Sequence, residues 1–86
     1  MFNLQDEIRK LEDSPRRDLN IIGLLFSERK PNLKTKEQYQ IALKQHLRPA
    51  KDLIPFDDGQ ILEAMRQAKE FVPGWNLNTL IKLLIK

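Results

Sequence analysis

The amino-acid sequence predicts an all-α fold, a compact bundle of five or six short helices. Apolar residues recur at the three- and four-residue spacing of helices, whereas no alternating pattern typical of strands persists for more than a few residues. Prolines divide the chain into segments of helical length: Pro15, Pro31, Pro49, Pro55 and Pro73. The chain of 86 residues is long enough for one hydrophobic core, so residues 1–86 are expected to form a single domain.

The first two helices are predicted by their caps and apolar faces. The first covers about residues 3–12, with Asn3 as its N-cap. Its apolar face carries Leu4, Ile8 and Leu11. The second is predicted to begin at Ser14 as N-cap, with Pro15 in the first helical position, and to end near Arg29. Apolar side chains surround most of this second segment, so we expect it to be the central helix of the bundle.

A capping box of Thr35 and Gln38 predicts a third helix over about residues 36–47. Its inward-facing side chains are expected to be Tyr39, Ala42, Leu43 and either His46 or Leu47. Arg48-Pro49 is predicted to end this helix, because the residue before a proline is displaced from the helical conformation. A short helical turn over residues 50–53 is expected to follow.

Two further helices are predicted by capping motifs. Asp57 and Gln60 form a capping box for a helix that ends near Phe71, and Asn76 is the expected N-cap of a last helix that extends to Lys86. The residue before each cap is aromatic. The hydrophobic staples that result pair Phe56 with Ile61 and Trp75 with Leu80.

The last two predicted helices have the outline of a helix-turn-helix motif, whose second helix reads bases in the major groove. The composition of the last helix does not favour this function, because a recognition helix needs polar side chains and this helix is mainly aliphatic. The polar side chains that it offers are Asn78, Thr79, Lys82 and Lys86. We therefore expect a core helix or an oligomer interface.

Positive charge is concentrated in one part of the chain. The net charge of the whole sequence is +3, but residues 29–51 contain seven basic side chains and a single acidic one, Glu37. The remainder of the chain is therefore net negative. Clustered cations are complementary to nucleic-acid phosphates or to an acidic protein surface, so this segment is the candidate functional site.

The candidate site consists of Arg29, Lys30, Lys34, Lys36, Gln40, Lys44, Arg48 and Lys51. Within the third helix, Lys36, Gln40 and Lys44 are four residues apart and form one exposed stripe, which Arg48 and Lys51 continue if the chain keeps its direction. The alternative interpretation is a solvated face that maintains solubility. The scarcity of acidic residues favours binding, since solvated helical faces usually mix charges.

Motifs for catalysis and for cofactor or metal binding are absent from the sequence. There is no phosphate-binding loop, no dinucleotide glycine pattern and no cysteine, and the one histidine is His46. We therefore expect no enzymatic activity, no catalytic residue, no cofactor and no metal site. The N-terminal residues lack the apolar region of a signal peptide, and no apolar run could span a bilayer, so the sequence predicts a cytoplasmic protein that does not associate with membranes.

A resemblance to known proteins is carried by five segments: residues 18–22 (DLNII), 36–38 (KEQ), 48–53 (RPAKDL), 57–58 (DD) and the predicted helix over 60–68. These segments resemble helical segments of replication-associated proteins of phages and plasmids. The resemblance covers about residues 16–84. It implies a non-catalytic accessory module that acts on DNA or docks a replication partner.

The sequence thus predicts a non-catalytic module that binds nucleic acid, DNA in particular, through the phosphate backbone. One alternative is a protein-interaction module whose apolar last helix docks a protein partner or a second copy in a homo-oligomer. Another is a small phage-encoded inhibitor that presents the basic face to an acidic host protein. Nucleic-acid binding weakens steeply with salt because counterions are released, whereas hydrophobic docking does not.

Overall fold

The structure, a computed structural model, describes residues 2–85 and confirms the all-α prediction. Within this range the chain forms five helices and no strand. The helices are α1 (Leu4–Asp13), α2 (Arg17–Arg29), α3 (Lys36–Asp52), α4 (Asp58–Phe71) and α5 (Leu77–Leu84). The Cα radius of gyration is 12.4 Å, close to the value of about 12 Å expected for a compact chain of this length.

The turn between α1 and α2 differs from the prediction. Asn3 caps α1 as expected, since its side chain accepts the N–H groups of residues 5 and 6. The predicted cap of α2 is wrong: Ser14 follows the last residue of α1, and its hydroxyl accepts the N–H of Arg16 at 3.1 Å, so α2 begins two residues later than predicted. Asn20 stabilises this arrangement, because its amide donates to the carbonyls of Leu11 and Ser14 at 2.9 and 2.8 Å.

Helix α3 continues through Pro49, which corrects the predicted break at Arg48-Pro49. A proline removes one backbone hydrogen bond and crowds the preceding turn, which disfavours an interior position. Burial of apolar side chains favours continuation of the helix past Pro49, because Ala50, inside α3, and Leu53, its C-cap, are both fully buried. The short separate helix expected over residues 50–53 is therefore the last turn of α3.

The remaining caps follow the prediction with one difference. Asp57 and Gln60 form the expected capping box of α4, and Asn76 caps α5 with Thr79 as its reciprocal partner. At the start of α3, the Thr35 hydroxyl accepts the N–H of Gln38, but the Gln38 side chain accepts the N–H of Lys34 instead of that of Thr35. The predicted end of α5 at Lys86 lies outside the described residues.

Four pairs of helices make the main contacts of the bundle. Helix α2 contacts α1 and α3, and α5 contacts α3 and α4. At one end of the α2/α3 pair the ring of Phe26 lies 6.3 Å from that of Tyr39, and at the other end Arg17 donates to the carbonyl of Phe56 at 2.9 Å. Helices α2 and α3 are therefore antiparallel, and the start of α2 lies beside the end of α3.

Helix α4 is attached to both ends of α2. Arg17 forms an ion pair with Asp58 at the start of α4, and Arg29 donates to the carbonyl of Trp75 just after the end of α4. Helices α2 and α4 therefore run parallel to each other. None of the helices in residues 2–85 combines the length and the apolar character needed to cross a bilayer.

The buried core draws on all five helices, with α2 at its centre as predicted. Six residues of α2 are buried, more than in any other described helix, and four of them are large apolar side chains: Ile21, Ile22, Leu25 and Phe26. From α5, only Leu77 and Leu80 are fully part of this core, because Leu83 and Leu84 are half-buried and Ile85 is exposed. The aliphatic last helix is therefore a core helix along one face only.

Gly23 permits the close contact between α1 and α2. A Cβ added there would lie 3.1 Å from the Leu11 Cβ and 3.2 Å from the Glu12 backbone nitrogen, and neither atom belongs to a flexible side-chain end. We expect Gly23→Ala to lower the free energy of unfolding by about 1 kcal/mol, because overpacking of about 1–3 kcal/mol exceeds the helix-propensity gain of up to about 1 kcal/mol.

Gly59→Ala provides the matched control for this prediction. The nearest atom to a Cβ at Gly59 is the Asp57 Oδ1 at 3.4 Å, an ordinary contact at an exposed position of α4. This substitution should raise stability by up to about 1 kcal/mol. Urea denaturation of the two variants tests the packing, and equal stabilisation by both would contradict a tight α1/α2 contact.

Candidate nucleic-acid interface

The continuity of α3 assembles four of the predicted site residues on one face. Gln40, Lys44, Arg48 and Lys51 lie within about 80° of one another around the helix axis and extend over roughly 16 Å along it. All four are exposed. We refer to these four residues as the α3 face. A break at Pro49 would have redirected Lys51, so the uninterrupted helix is what places it there.

The cations of the α3 face are not paired within the described chain. The salt bridges formed among residues 2–85 involve other cations, namely Lys10, Arg16, Arg17 and Arg66. The acidic residues nearest in helical position are Glu37 and Asp52, at the two ends of α3. Between these two residues α3 carries three cations and no carboxylate, which gives the centre of the face a positive potential.

Lys36, at the start of the predicted stripe, lies towards α1. It lines a shallow cavity together with residues of α1 that include Asp6 and Glu7. Lys10 lines the same cavity and pairs with Glu7, so the surroundings of Lys36 mix both charges and suit phosphate less well than the α3 face. On α3, Lys36 lies one turn before Gln40 and within about 40° of it, so it continues the stripe of the α3 face towards α1.

Arg29 has a structural role at the end of α2. Its guanidinium carbon lies 5.2 Å from the centre of the Trp75 ring, a cation–π contact, and its Nη1 donates to the Trp75 carbonyl. Lys30 and Lys34 are exposed in the connection between α2 and α3, where Lys30 adopts a left-handed conformation with φ of 47°. These three residues lie at the opposite end of α3 from Lys51.

Asp18 is a buried carboxylate that the sequence analysis did not identify. It is 4% exposed, and its oxygens accept the Leu19 N–H and the Arg16 Nη2–H, both at 2.8 Å. Burial alone would raise the pKa of Asp18, but these hydrogen bonds and the charges of Arg16 and Lys51 hold it below the ordinary value. The sequence pattern that could have indicated this buried carboxylate is a single acidic residue after Arg16-Arg17 at the start of an apolar helix.

The lowered pKa of Asp18 predicts a contribution to acid sensitivity. The carboxylate of Asp18 binds a proton more readily in the unfolded chain than in the folded one. The ionised carboxylate therefore stabilises the fold above the unfolded pKa of about 3.9. That stability is lost as pH falls through the lower folded pKa. Between about pH 7 and pH 2.5, wild type should lose more stability than Asp18→Asn in urea denaturation. Equal losses would show that Asp18 is not held in its ionised form by the fold.

Two aromatic rings of α3 are engaged in packing. Tyr39 is buried, as predicted, with its ring 5.6 Å from Phe2, and burial together with the charge of Glu7 raises the pKa of its phenol. It is therefore not available as a stacking platform for a base. His46 lies inside α3 rather than at its end: its Nδ1 is 2.6 Å from the Ala42 carbonyl and its ring is 5.5 Å from Phe26.

No group of three side chains suited to hold a metal ion occurs between residues 2 and 85. Comparison with protein-family models, with curated proteins and with solved structures finds no match.

Proposed function

We propose that this chain is a non-catalytic nucleic-acid-binding module whose α3 face contacts the phosphate backbone. The observation that carries the proposal is the alignment of Lys44, Arg48 and Lys51 on one exposed helical face without a salt-bridge partner in the described chain. These three cations extend over roughly 10 Å, the axial length of about three nucleotide steps of one strand at 3.4 Å per step along the duplex.

The chemistry of the α3 face suits phosphate contacts better than base recognition. Lysine and arginine bind phosphate oxygens through charge-assisted hydrogen bonds, and the Gln40 amide adds a neutral donor. Contacts of this kind position a protein on a strand but carry no sequence information. We therefore expect binding to DNA without strong sequence preference. In keeping with the resemblance described above, we extend the proposal to an accessory role in phage or plasmid replication.

Salt dependence tests this proposal on the wild-type protein. Affinity for two short DNA duplexes of unrelated sequence, and for a single strand, is measured between about 50 and 200 mM salt. Three phosphate contacts predict a log–log slope of about −2.7 or steeper on both duplexes, a loss of at least roughly 40-fold over this range. No binding at the lowest salt, or binding that does not change with salt, would contradict the proposal.

A second candidate function, docking of a protein partner, is favoured by a different surface. Leu83 and Leu84 of α5 are half-buried and line a groove against α4, together with Ala64 and Gln67. Phe71, on the same side of α4 as Ala64 and Gln67, is 73% exposed. Binding through this apolar surface would change little with salt, so the same titration separates the two candidates.

A further inference from the structure

A further cation lies at the start of α2. The side chain of Arg16 is 59% exposed, and its Nη2 donates to the Asp18 Oδ2 at 2.8 Å. The second oxygen of Asp18 is occupied by the Leu19 N–H, so this buried carboxylate is fixed by two hydrogen bonds. Asp18 therefore restrains an exposed guanidinium through one charge-assisted hydrogen bond.

The position of Arg16 follows from the antiparallel packing of α2 and α3. Arg17, the next residue, donates to the carbonyl of Phe56, four residues after the last residue of α3. The start of α2 thus lies beside the end of α3, where Lys51 is located. Lys51 is close enough to Asp18 for its charge to act on that carboxylate. Arg16, which is paired with the same carboxylate, therefore lies at the same end of the α2/α3 pair as Lys51.

We propose that Arg16 is a further phosphate-binding residue beside the α3 face and that Asp18 is the residue that positions it. This inference rests on the proposed function and extends the binding surface from one helix to two. Among the described residues, Asp18 occupies only Nη2 of the Arg16 guanidinium, and the remaining N–H groups are able to donate to a phosphate oxygen. The Arg16 side chain would donate to a backbone phosphate of the same nucleic acid that Lys44, Arg48 and Lys51 bind.

Substitution of Asp18 distinguishes positioning from simple electrostatics. Asp18→Asn removes a negative charge next to two cations, so on charge alone it should strengthen binding to DNA. If Asp18 positions Arg16, the same substitution should weaken binding, because the neutral amide holds the guanidinium less firmly and the side chain loses its fixed geometry. The two interpretations therefore predict opposite signs for one measurement.

The experiment is a salt-dependent titration of a short DNA duplex with Arg16→Ala, Asp18→Asn and the control Arg66→Ala. Arg66 is exposed and paired with Glu63 on α4, so its removal changes net charge to the same extent as removal of Arg16. Arg16→Ala should flatten the log–log slope by about 0.9 and weaken binding several-fold, whereas Arg66→Ala should leave both unchanged. Asp18→Asn should weaken binding with its helical circular dichroism unchanged.

The outcomes separate this inference from the proposed function. If Lys44→Ala/Arg48→Ala weakens binding and Arg16→Ala does not, Arg16 is not a phosphate ligand and the α3 face stands alone. If Asp18→Asn binds as tightly as wild type or more tightly, the positioning role is wrong. Should Asp18→Asn or Arg16→Ala lose helical content, Arg16→Gln decides: its amide can still donate to the buried Asp18 carboxylate, but the cation is lost, and unchanged binding would overturn the proposal. No effect of Lys44→Ala/Arg48→Ala would instead overturn the proposed function itself.

Discussion

Leu80→Asp is expected to unfold this domain. Leu80 is fully buried in the core of the bundle, and an aspartate there would place a carboxylate in an apolar site without a partner. The cost, about 4 kcal/mol or more, is comparable with the whole stability of a small domain, about 5 to 15 kcal/mol. Thermal denaturation followed by circular dichroism should show the loss of the cooperative transition.

Leu84→Asp is the matched control on the same helix. Leu84 is half-buried at the groove between α4 and α5, so the new carboxylate remains in contact with water. We expect a cost of roughly 1 kcal/mol and a preserved cooperative transition. If both variants melt like wild type, α5 is not part of the core, and if both unfold, the distinction between its two faces is wrong.

Helix starts were the part of the fold that the sequence predicted best. A cap requires one side chain at one position, as with Asn3, Asp57 and Asn76, and nothing distant competes with it. Ser14 was the exception, because its place after α1 and the hydrogen bonds of Asn20 to the turn depend on how α1 packs against α2. That packing is tertiary and leaves no local signal.

Pro49 shows where local preference yields to packing. A proline inside a helix is unfavourable by about 3 kcal/mol, which is why the sequence predicted a break. The structure keeps the helix because Ala50 and Leu53 reach the core along the same face as Tyr39. Fully burying a leucine-sized side chain contributes about 1.5–3 kcal/mol, so burial of the last turn is of the same order as the local cost.

Only part of the candidate site could be predicted from the sequence, because the rest depends on tertiary structure. Charge density along the chain identified the segment that contains the α3 face, and helical spacing placed Gln40 and Lys44 together. The position of Lys51 depended on the course of the chain at Pro49. The role of Arg29 depended on Trp75, which is 46 residues away in the sequence. Contacts over such separations are decided by the fold and cannot be seen in local patterns.

Removal of two cations from the α3 face should weaken DNA binding without affecting the fold. Lys44→Ala/Arg48→Ala removes exposed charges, each of which contributes about 0 to 1 kcal/mol to folding, so the melting temperature should change little. Binding to a short duplex at low salt should weaken at least tenfold, since two of the proposed phosphate contacts are lost. The loss should be similar for unrelated sequences, because phosphate contacts carry no base information.

Arg66→Ala/Lys69→Ala is the control for net charge. It removes two exposed cations from α4, so a long-range effect of total charge would appear in both double variants alike. Only the loss of specific contacts on α3 distinguishes them. The comparison therefore separates phosphate contacts by the α3 face from general attraction between a basic protein and DNA.

The most direct test of the α3 face as a phosphate-binding surface is the log–log salt slope of duplex binding in these two double variants and in wild type. We expect Lys44→Ala/Arg48→Ala to flatten the slope by about 1.8, or about 0.9 for each lost contact, and Arg66→Ala/Lys69→Ala to leave it unchanged. An unchanged slope and affinity in Lys44→Ala/Arg48→Ala would contradict phosphate binding by the α3 face and favour docking of a protein partner.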